Sequence, residues 1–363
     1  MTLKVFSATG GIEKVCRIMG KALYEYGLQN SAVILIKSMH DEQEEACDNL
    51  YFPNEIFTGF AGNKVSFVFN AAENWRKDDI IILSHINLLM AGWLIKKVNP
   101  SAKIILIGHG IEIWGKLNIS KKKMLSVCDH IICVSRFTAQ KIKNVHHFPE
   151  DKISILNNCI DPFLPMPVVH FSTQKLKQQY GIENDETVLM TLTRLSAKDR
   201  YKGYDCVLDA LVLLKKNNRK IKYLLAGSYS ESEKIVVDAL ITKHGLTDNV
   251  ILTGYIPDEN LTAHFCMADI YVMPSTKEGF GIVFIEAMYY GVPVIAGNQD
   301  GSVDALLNGD LGLLIEPNNA IAIANAVEEM MTNKETYKPN HQLLMNNFGY
   351  DAYKRKLEMV LNN

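Results

Sequence analysis

The stretch STKEGFGIVFIEAMYYG, residues 275–291, lies between two short apolar runs, Ile270–Met273 and Pro293–Ala296. Together they read as strand, glycine loop, helix and second strand, which is one βαβ unit of a parallel sheet. Gly279 and Gly281 let the loop backbone take unusual dihedrals and approach a ligand closely. The helix expected from Ile282 aims its free N–H groups and the positive end of its dipole at the strand ends, where a phosphate could sit. Glu286 stands in the apolar wall of that helix and needs a partner to stay charged there. A ribose diol would supply two donors; a neighbouring lysine is the plainer alternative. Glu278 precedes it by eight residues, a rise of about 12 Å on one continuous helix. The two are therefore not assumed to be the carboxylate pair of a retaining glycosidase, about 5 Å apart. Separate tasks follow, with Glu278 accepting sugar hydroxyls or stabilising positive charge at an anomeric carbon, unless it is merely a surface residue.

The same alternation extends outward in both directions. Leu3–Ser7, Ala32–Ile36, Ile80–Leu83, Lys103–Ile107 and His130–Val134 read as strands, with helical patterns near 12–27, 87–98, 121–128 and 136–146. The run from Asp161 to Val168 holds three prolines and reads as an interdomain linker. Beyond it the pattern restarts, with strands at Thr187–Thr193, Ile221–Ala226 and Val250–Leu252 and helices near 204–216, 231–244, 259–267, 282–290 and 319–331. Two parallel α/β domains of similar size are expected, each able to carry a ligand crevice at its strand ends. The acidic run Asp41–Asp48 reads as a solvated loop or helix face.

A chain of 363 residues is long enough for two cores. Its 48% hydrophobic and 21% charged content is that of a globular protein, and a net charge of −2 requires no nucleic acid as partner. The charge is unevenly spread. Residues 96–143 carry ten Lys and Arg against only Glu112 and Asp129. Seven cysteines without a C-x-x-C pair argue against a disulfide framework or zinc site and suit a reducing, cytoplasmic setting. The start, MTLKVFSATGG, reads as a strand entering glycines and not as a signal peptide.

Three further motifs fall at strand-to-helix junctions. In TRLSAKDRYKGYD, residues 193–205, Arg194 offers a bidentate fork and Lys202 a point charge, both suited to a diphosphate. In SATGGIEKV, Gly10 and Gly11 form a turn that lets backbone approach a phosphate or sugar, or simply a tight turn. In IGHGIEIW, His109 follows a strand, as a site residue or a structural histidine. No Walker loop, H-E-x-x-H, G-x-S-x-G or D-x-D is present. A metal-held diphosphate is not indicated, and no cofactor or metal is expected.

This combination resembles the family-4 retaining glycosyltransferases with the GT-B fold, the glycosyl transferases of group 1. Glu278 to Glu286 matches their E-x7-E motif with its EAM-x-x-G-x-PV continuation, and TRL…KGYD matches their diphosphate clamp. GGIEKV, HGIEIW, ILNNCID, VSRFT and TGYIP also fit, so the similarity spans nearly the whole chain. It implies two Rossmann-like parallel-sheet domains facing a central cleft. Residues 1–164, joined by a returning helix at about 345–363, would bind the acceptor, and residues 165–344 the nucleotide-sugar.

The resemblance also implies roles. Arg194 and Lys202 neutralise the leaving diphosphate, donors typically worth about 3–4 kcal/mol each in a preorganised site. Glu278, with the backbone of Phe280, Gly281 and Ile282, holds the transferred sugar and distal phosphate. Glu286 holds the ribose, and Gly254, Tyr255 and Ile256 line the base. Gly10, Gly11 and His109 close on the donor from the acceptor domain. The reaction would move a hexose from a UDP-sugar with retention of configuration, plausibly by same-face attack, to a lipid-linked or cell-surface polysaccharide or lipopolysaccharide intermediate. The basic segment 96–143 would touch anionic membrane, or is simply a solvated face. Lys202 stands farther from Arg194 than in the family's commonest spacing, so Lys198 competes for the clamp. Gly27-Leu-Gln-Asn departs from the family pattern, and residues 37–63 match none of it. The rival readings are a sugar-nucleotide epimerase, a glucan phosphorylase, or a non-catalytic nucleotide-sugar-binding protein.

Overall fold

Every strand pairing among the described residues, 1–43, 49–72, 79–166 and 171–362 of a computed structural model, is parallel. The contacts divide the chain into two units, Met1–Pro162 with Tyr350–Asn363, and Phe163–Gly349. The first break thus falls at Pro162 and not at 164.

In the first unit β1 (Ile36–Ser38) pairs with β2 (Phe57–Gly59). The strands β3 (Ile80–Leu83), β4 (Lys103–Gly108), β5 (His130–Cys133) and β6 (Ile153–Ile155) form a four-stranded sheet in that order. Residues 1 and 2 bridge the two sheets. Thr2 N donates to Lys37 O at 2.8 Å, and Ser84 N donates to Met1 O at 3.0 Å. Side chains alternate along β4 as the pleat requires. Ile104 and Leu106 enter one buried cluster, whereas Ile105 and Ile107 enter another on the opposite face. Burial on both faces explains why these strands read as continuous apolar runs. The second cluster is closed by the helix Gly11–Asn30 and by the last helix, Tyr350–Asn362, through Tyr353, Leu357 and Leu361.

Three expectations fail here. Leu3–Ser7 is not a strand. The amides of Val5, Phe6 and Ser7 donate to the Asp41 carboxylate at 2.7, 3.1 and 2.6 Å, and Ser38 Oγ donates to it as well. A buried carboxylate thus replaces a ladder. The same residue corrects the reading of the acidic run, because Asp41 is 0% exposed; residues 44–48 lie outside the described segments. The second strand begins at Ile36, later than the sequence pattern suggests, since its pairing with β2 starts there.

The second unit holds β7 (Thr187–Leu192), β8 (Ile221–Ala226), β9 (Val250–Gly254), β10 (Ile270–Met273), β11 (Val294–Gly297) and β12 (Leu313–Ile315), in the order β12-β11-β10-β7-β8-β9. That is the doubly wound order, and it reverses between β7 and β10. Helices Tyr204–Lys216, Glu231–Lys243, Asp258–Met267, Ile282–Tyr289 and Ala320–Thr332 fall where the periodicity places them. The expected helix at 345–363 is instead two, His341–Phe348 and Tyr350–Asn362. They are separated by Gly349, whose extended backbone (φ −68°, ψ 154°) ends the first. A Cβ there would fall 2.5 Å from Met345 O. Of the linker, residues 161–166 are irregular; 167 and 168 lie outside the described segments.

Candidate functional site

The crevice of the second unit opens where β7 and β10 part. Their ladder covers only Leu189 with Ile270 and Met190 with Tyr271. Beyond it hydroxyl groups take over the main-chain partners. Tyr271 Oη accepts from Leu192 N at 3.2 Å and donates to Leu192 O at 3.3 Å. Thr191 Oγ1 donates to Val272 O and accepts from Tyr223 Oη at 2.7 Å. Leu192 N and O and Val272 O thus keep partners where the strands diverge.

The loops leaving these two strands carry the charged groups. Arg194 is exposed and its guanidinium has no partner among the described residues. Lys202 forms an ion pair with Glu278 and lies over the Tyr201 ring, 5.3 Å from its centroid. Burial alone would lower the Lys202 pKa; the Glu278 carboxylate outweighs it and the net shift is upward. Lys198 is exposed and unpaired among the described residues, so Lys202, and not Lys198, stands against Glu278. The loops are also tied by their backbones. Thr276 N donates to Tyr201 O at 2.9 Å. Gly203 (φ +80°) sits so close that a Cβ would fall 2.5 Å from Pro274 O.

The helix Ile282–Tyr289 starts immediately after Gly281, whose left-handed backbone (φ +88°) requires glycine. In its first turn Phe284 N donates to Gly281 O at 3.0 Å, and the amides of Ile282 and Val283 precede that bond beside the Glu278 loop. Phe280 is buried against Phe348, ring centroids 5.5 Å apart, so it can offer a ligand only its backbone. Glu286 is 3% exposed. Burial pushes the Tyr290 phenol up to about 12; a hydrogen bond with Thr262 opposes this, and the Glu286 charge adds to it. At the end of β9, Gly254 is left-handed (φ +71°), Tyr255 is 56% exposed and Ile256 is buried.

Two features of this unit went unread in the sequence. One is the hydroxyl network of Thr191, Tyr223 and Tyr271, hidden because all three sit inside strands. The other is Asp300, on the loop after β11, which accepts from Glu278 N at 2.7 Å. An aspartate before glycine at the end of a strand neighbouring β10 was the available signal.

In the first unit, Ser84 and His109 follow the neighbouring strands β3 and β4, whereas Gly10–Gly11 follow the non-strand segment Leu3–Ser7. Gly10 has an ordinary extended conformation (φ −118°, ψ 167°), so glycine there is not demanded by the dihedral. Gly11 is the first residue of the helix Gly11–Asn30. His109 is 9% exposed, its Nε2 lies 2.8 Å from Ser84 O, and its amide donates to Glu112 Oε1 at 2.7 Å. A carbonyl can only accept, so Nε2 carries the proton and Nδ1 is an acceptor. Burial lowers the His109 pKa, against the pull of Glu112, the Ser84 carbonyl and Glu13.

Residues 172–354 match the family model described as glycosyl transferases group 1, and residues 9–163 match glycosyltransferase family 4. A GDP-mannose-dependent alpha-(1-6)-phosphatidylinositol monomannoside mannosyltransferase of Mycolicibacterium smegmatis is 28% identical over 244 residues, 63% of this chain and 61% of that protein. The capsular polysaccharide biosynthesis glycosyltransferase CapM of Staphylococcus aureus is 26% identical over 66% of this chain and 60% of its own length. The chain thus spans about three fifths of the length of the curated relatives it matches. The crystal structure of Anabaena Alr3699/HepE in complex with UDP superposes with a TM-score of 0.81, covering 99% of this chain and 98% of that one at 19% identity, a likeness of fold. With two family models covering nearly all of its length and two Rossmann-like sheets in place, the chain belongs to the glycosyl transferases group 1 family and has the GT-B fold.

Proposed function

We propose that the chain transfers a hexose from a nucleoside-diphospho-sugar to a saccharide or lipid-linked acceptor, with retention of configuration. One observation carries this reading. In the second unit Arg194 stands exposed on the loop that leaves β7, and Lys202 of the same loop pairs with Glu278 of the loop that enters helix Ile282–Tyr289. Cationic groups and a helix N-terminus suit a diphosphate, and they need no metal to do so. Glu278, on the loop, is assigned to the hydroxyls of the transferred sugar, and Glu286, on the helix Ile282–Tyr289, to the ribose. Tyr255, exposed at the end of β9, offers a ring for the base. Arg194 and Lys202 stabilise charge on the departing diphosphate, whose oxygen takes the acceptor proton in same-face attack. His109, neutral and with Nδ1 as acceptor, and the Gly10–Gly11 turn are assigned to the first unit's own crevice.

A UDP-sugar is the donor we infer; the relatives named for GDP-mannose make GDP the base to test beside it. A thermal-shift screen over UDP, GDP, ADP, UDP-glucose and GDP-mannose tests the reading, because a ligand that binds only the folded state raises the melting temperature with its concentration. Stabilisation by one nucleoside diphosphate and its sugar is expected. No shift with any of them overturns the proposal.

Contact with anionic lipid through residues 96–143 belongs to the same reading. Within that segment Lys96 is neutralised by Asp129 at 2.8 Å, and Lys143 pairs with Glu150. Lys97, Lys116, Lys122 and Lys123 remain exposed near exposed Met90 and Ile119, around the packed helices Leu89–Val98 and Ile119–Leu125. Among the described residues no helix is long and apolar enough to cross a membrane.

A further inference from the structure

Glu278 can act on a sugar only if its main chain is fixed, because the loop Ser275–Gly281 has no regular structure of its own. We infer that Asp300 is the residue that fixes it: a positioning residue that holds the Glu278 amide from below and so sets where the Glu278 carboxylate meets Lys202 and the donor. This rests on the transferase reading above and adds to it a residue outside the E-x7-E motif.

The geometry is closed on every side. Asp300 is 1% exposed, and its Oδ2 accepts from Glu278 N at 2.7 Å and from Ser275 Oγ at 2.7 Å. Its Oδ1 accepts from Ser302 N at 2.9 Å. The next residue reinforces the grip, since Gly301 N donates to Glu278 O at 2.8 Å. The peptide groups on both sides of Glu278 are therefore held by two consecutive residues of one loop. The groups that bond to the carboxylate, Glu278 N, Ser275 Oγ and both the amide and the side chain of Ser302, act as donors, so a carboxylate satisfies them and an amide would set its own NH2 against one of them.

The titration behaviour agrees. Burial raises the Asp300 pKa above the ordinary carboxylate value, although bonds from Ser302, Glu278 and Ser275 pull it back. A carboxylate raised by folding stabilises the fold fully below its unfolded pKa of about 4, and that contribution is lost as pH rises through the folded value.

Two variants displace the loop by different means. Asp300→Asn removes an acceptor. Gly301→Ala adds a Cβ that would lie 2.1 Å from Gly279 O, while its own backbone (φ −66°, ψ −9°) accepts alanine without strain. Two readouts separate this inference from the transferase reading. Hydrogen–deuterium exchange of the peptide covering 275–281 needs no substrate, and faster exchange is expected in both variants. Release of nucleoside diphosphate from UDP-glucose and GDP-mannose reads the consequence. Turnover falls about 100-fold, as for a reacting group misplaced by about 1 Å, with KM for the donor little changed. In a Glu278→Gln background Asp300→Asn has no further effect beyond about twofold, because it acts through Glu278. Unchanged exchange overturns the positioning role whatever the substrate is. Faster exchange with full turnover, or an equal fold-loss in the Glu278→Gln background, overturns its link to Glu278. Faster exchange with no turnover of either donor by the unaltered protein sinks the transferase reading and leaves the positioning intact.

Discussion

Lys202 and Glu278 neutralise each other across the mouth of the crevice between β7 and β10. The sequence reading gave them different jobs, one on the diphosphate and one on the sugar. In the structure they are partners. Their separation of 76 positions in the chain hides the pairing from any local pattern.

Removing Glu278 should therefore uncover a titration. With Glu278→Gln, burial of Lys202 is opposed only by Tyr201 and Asp300, and its pKa should fall from its raised position. Diphosphate binding by this variant should weaken with rising pH in the alkaline range, whereas the unaltered protein holds its affinity there. Calorimetric titration with UDP and GDP across that range checks it. Turnover should fall further than affinity.

Glu286 should behave in the opposite way. Glu286→Ala removes the acceptor assigned to the ribose and is expected to weaken nucleotide binding by about 30-fold, the worth of a charged hydrogen bond. Turnover at saturating donor should be much less affected. Small, equal effects from Glu286→Ala and Glu278→Gln would remove the division of labour between them.

Asp41 should matter to stability and not to binding alone. Asp41→Ala strands the amides of Val5, Phe6 and Ser7 and should cost about 3 kcal/mol, seen as an earlier urea midpoint. Burial raises its pKa, but the bonds from Ser38, Ser7 and Val5 outweigh this and the net shift is downward. A carboxylate depressed by folding stabilises above its unfolded pKa, and the contribution disappears as pH falls through the folded value. The difference between the two proteins should accordingly be full at neutral pH and shrink in acid below about pH 4.

Tyr271→Phe tests the parting of the strands. Without the hydroxyl, Leu192 N and O lose their partner, at a cost of about 2 kcal/mol. Arg194 lies two residues beyond. Weaker nucleotide binding is expected to accompany the lower melting temperature. Unaltered affinity would show that the network serves the fold only.

Chelation tests how the diphosphate is held. If Arg194, Lys202 and the helix start suffice, turnover of UDP-glucose or GDP-mannose should survive EDTA. Loss of turnover on chelation, restored by a divalent ion, would contradict this.

Much of the second unit was legible because β7, β8, β10 and β11 are largely buried apolar runs followed by helices, as at Met273 to Ile282, whereas the short, half-buried β12 left no such trace. The helix Tyr204–Lys216 was placed to the residue, since Gly203 marks its start and its apolar positions repeat at helical spacing. The first unit was harder. The segment after Ala32 combines the short strands β1 and β2 with side-chain bonding to Asp41, and neither leaves a periodic trace. Glycine was the weakest guide. At Gly281 a left-handed backbone demands it, whereas Gly10 has dihedrals open to any residue. Partnerships across the chain, such as Asp300 with Glu278, depend on which strands lie side by side, and that order is fixed only in three dimensions.

The return of Tyr350–Asn362 to the first unit has a consequence for biosynthesis. Tyr353, Leu357 and Leu361 complete a core whose other members include Val5, Ile18 and Phe52. A nascent chain leaving the ribosome must expose that half-built core until nearly all of the intervening residues have been made. The segments around Val5, Ile18 and Phe52 are thus finished only after Tyr353, Leu357 and Leu361 have been made, and losing those three would injure a core built mainly from segments far earlier in the chain.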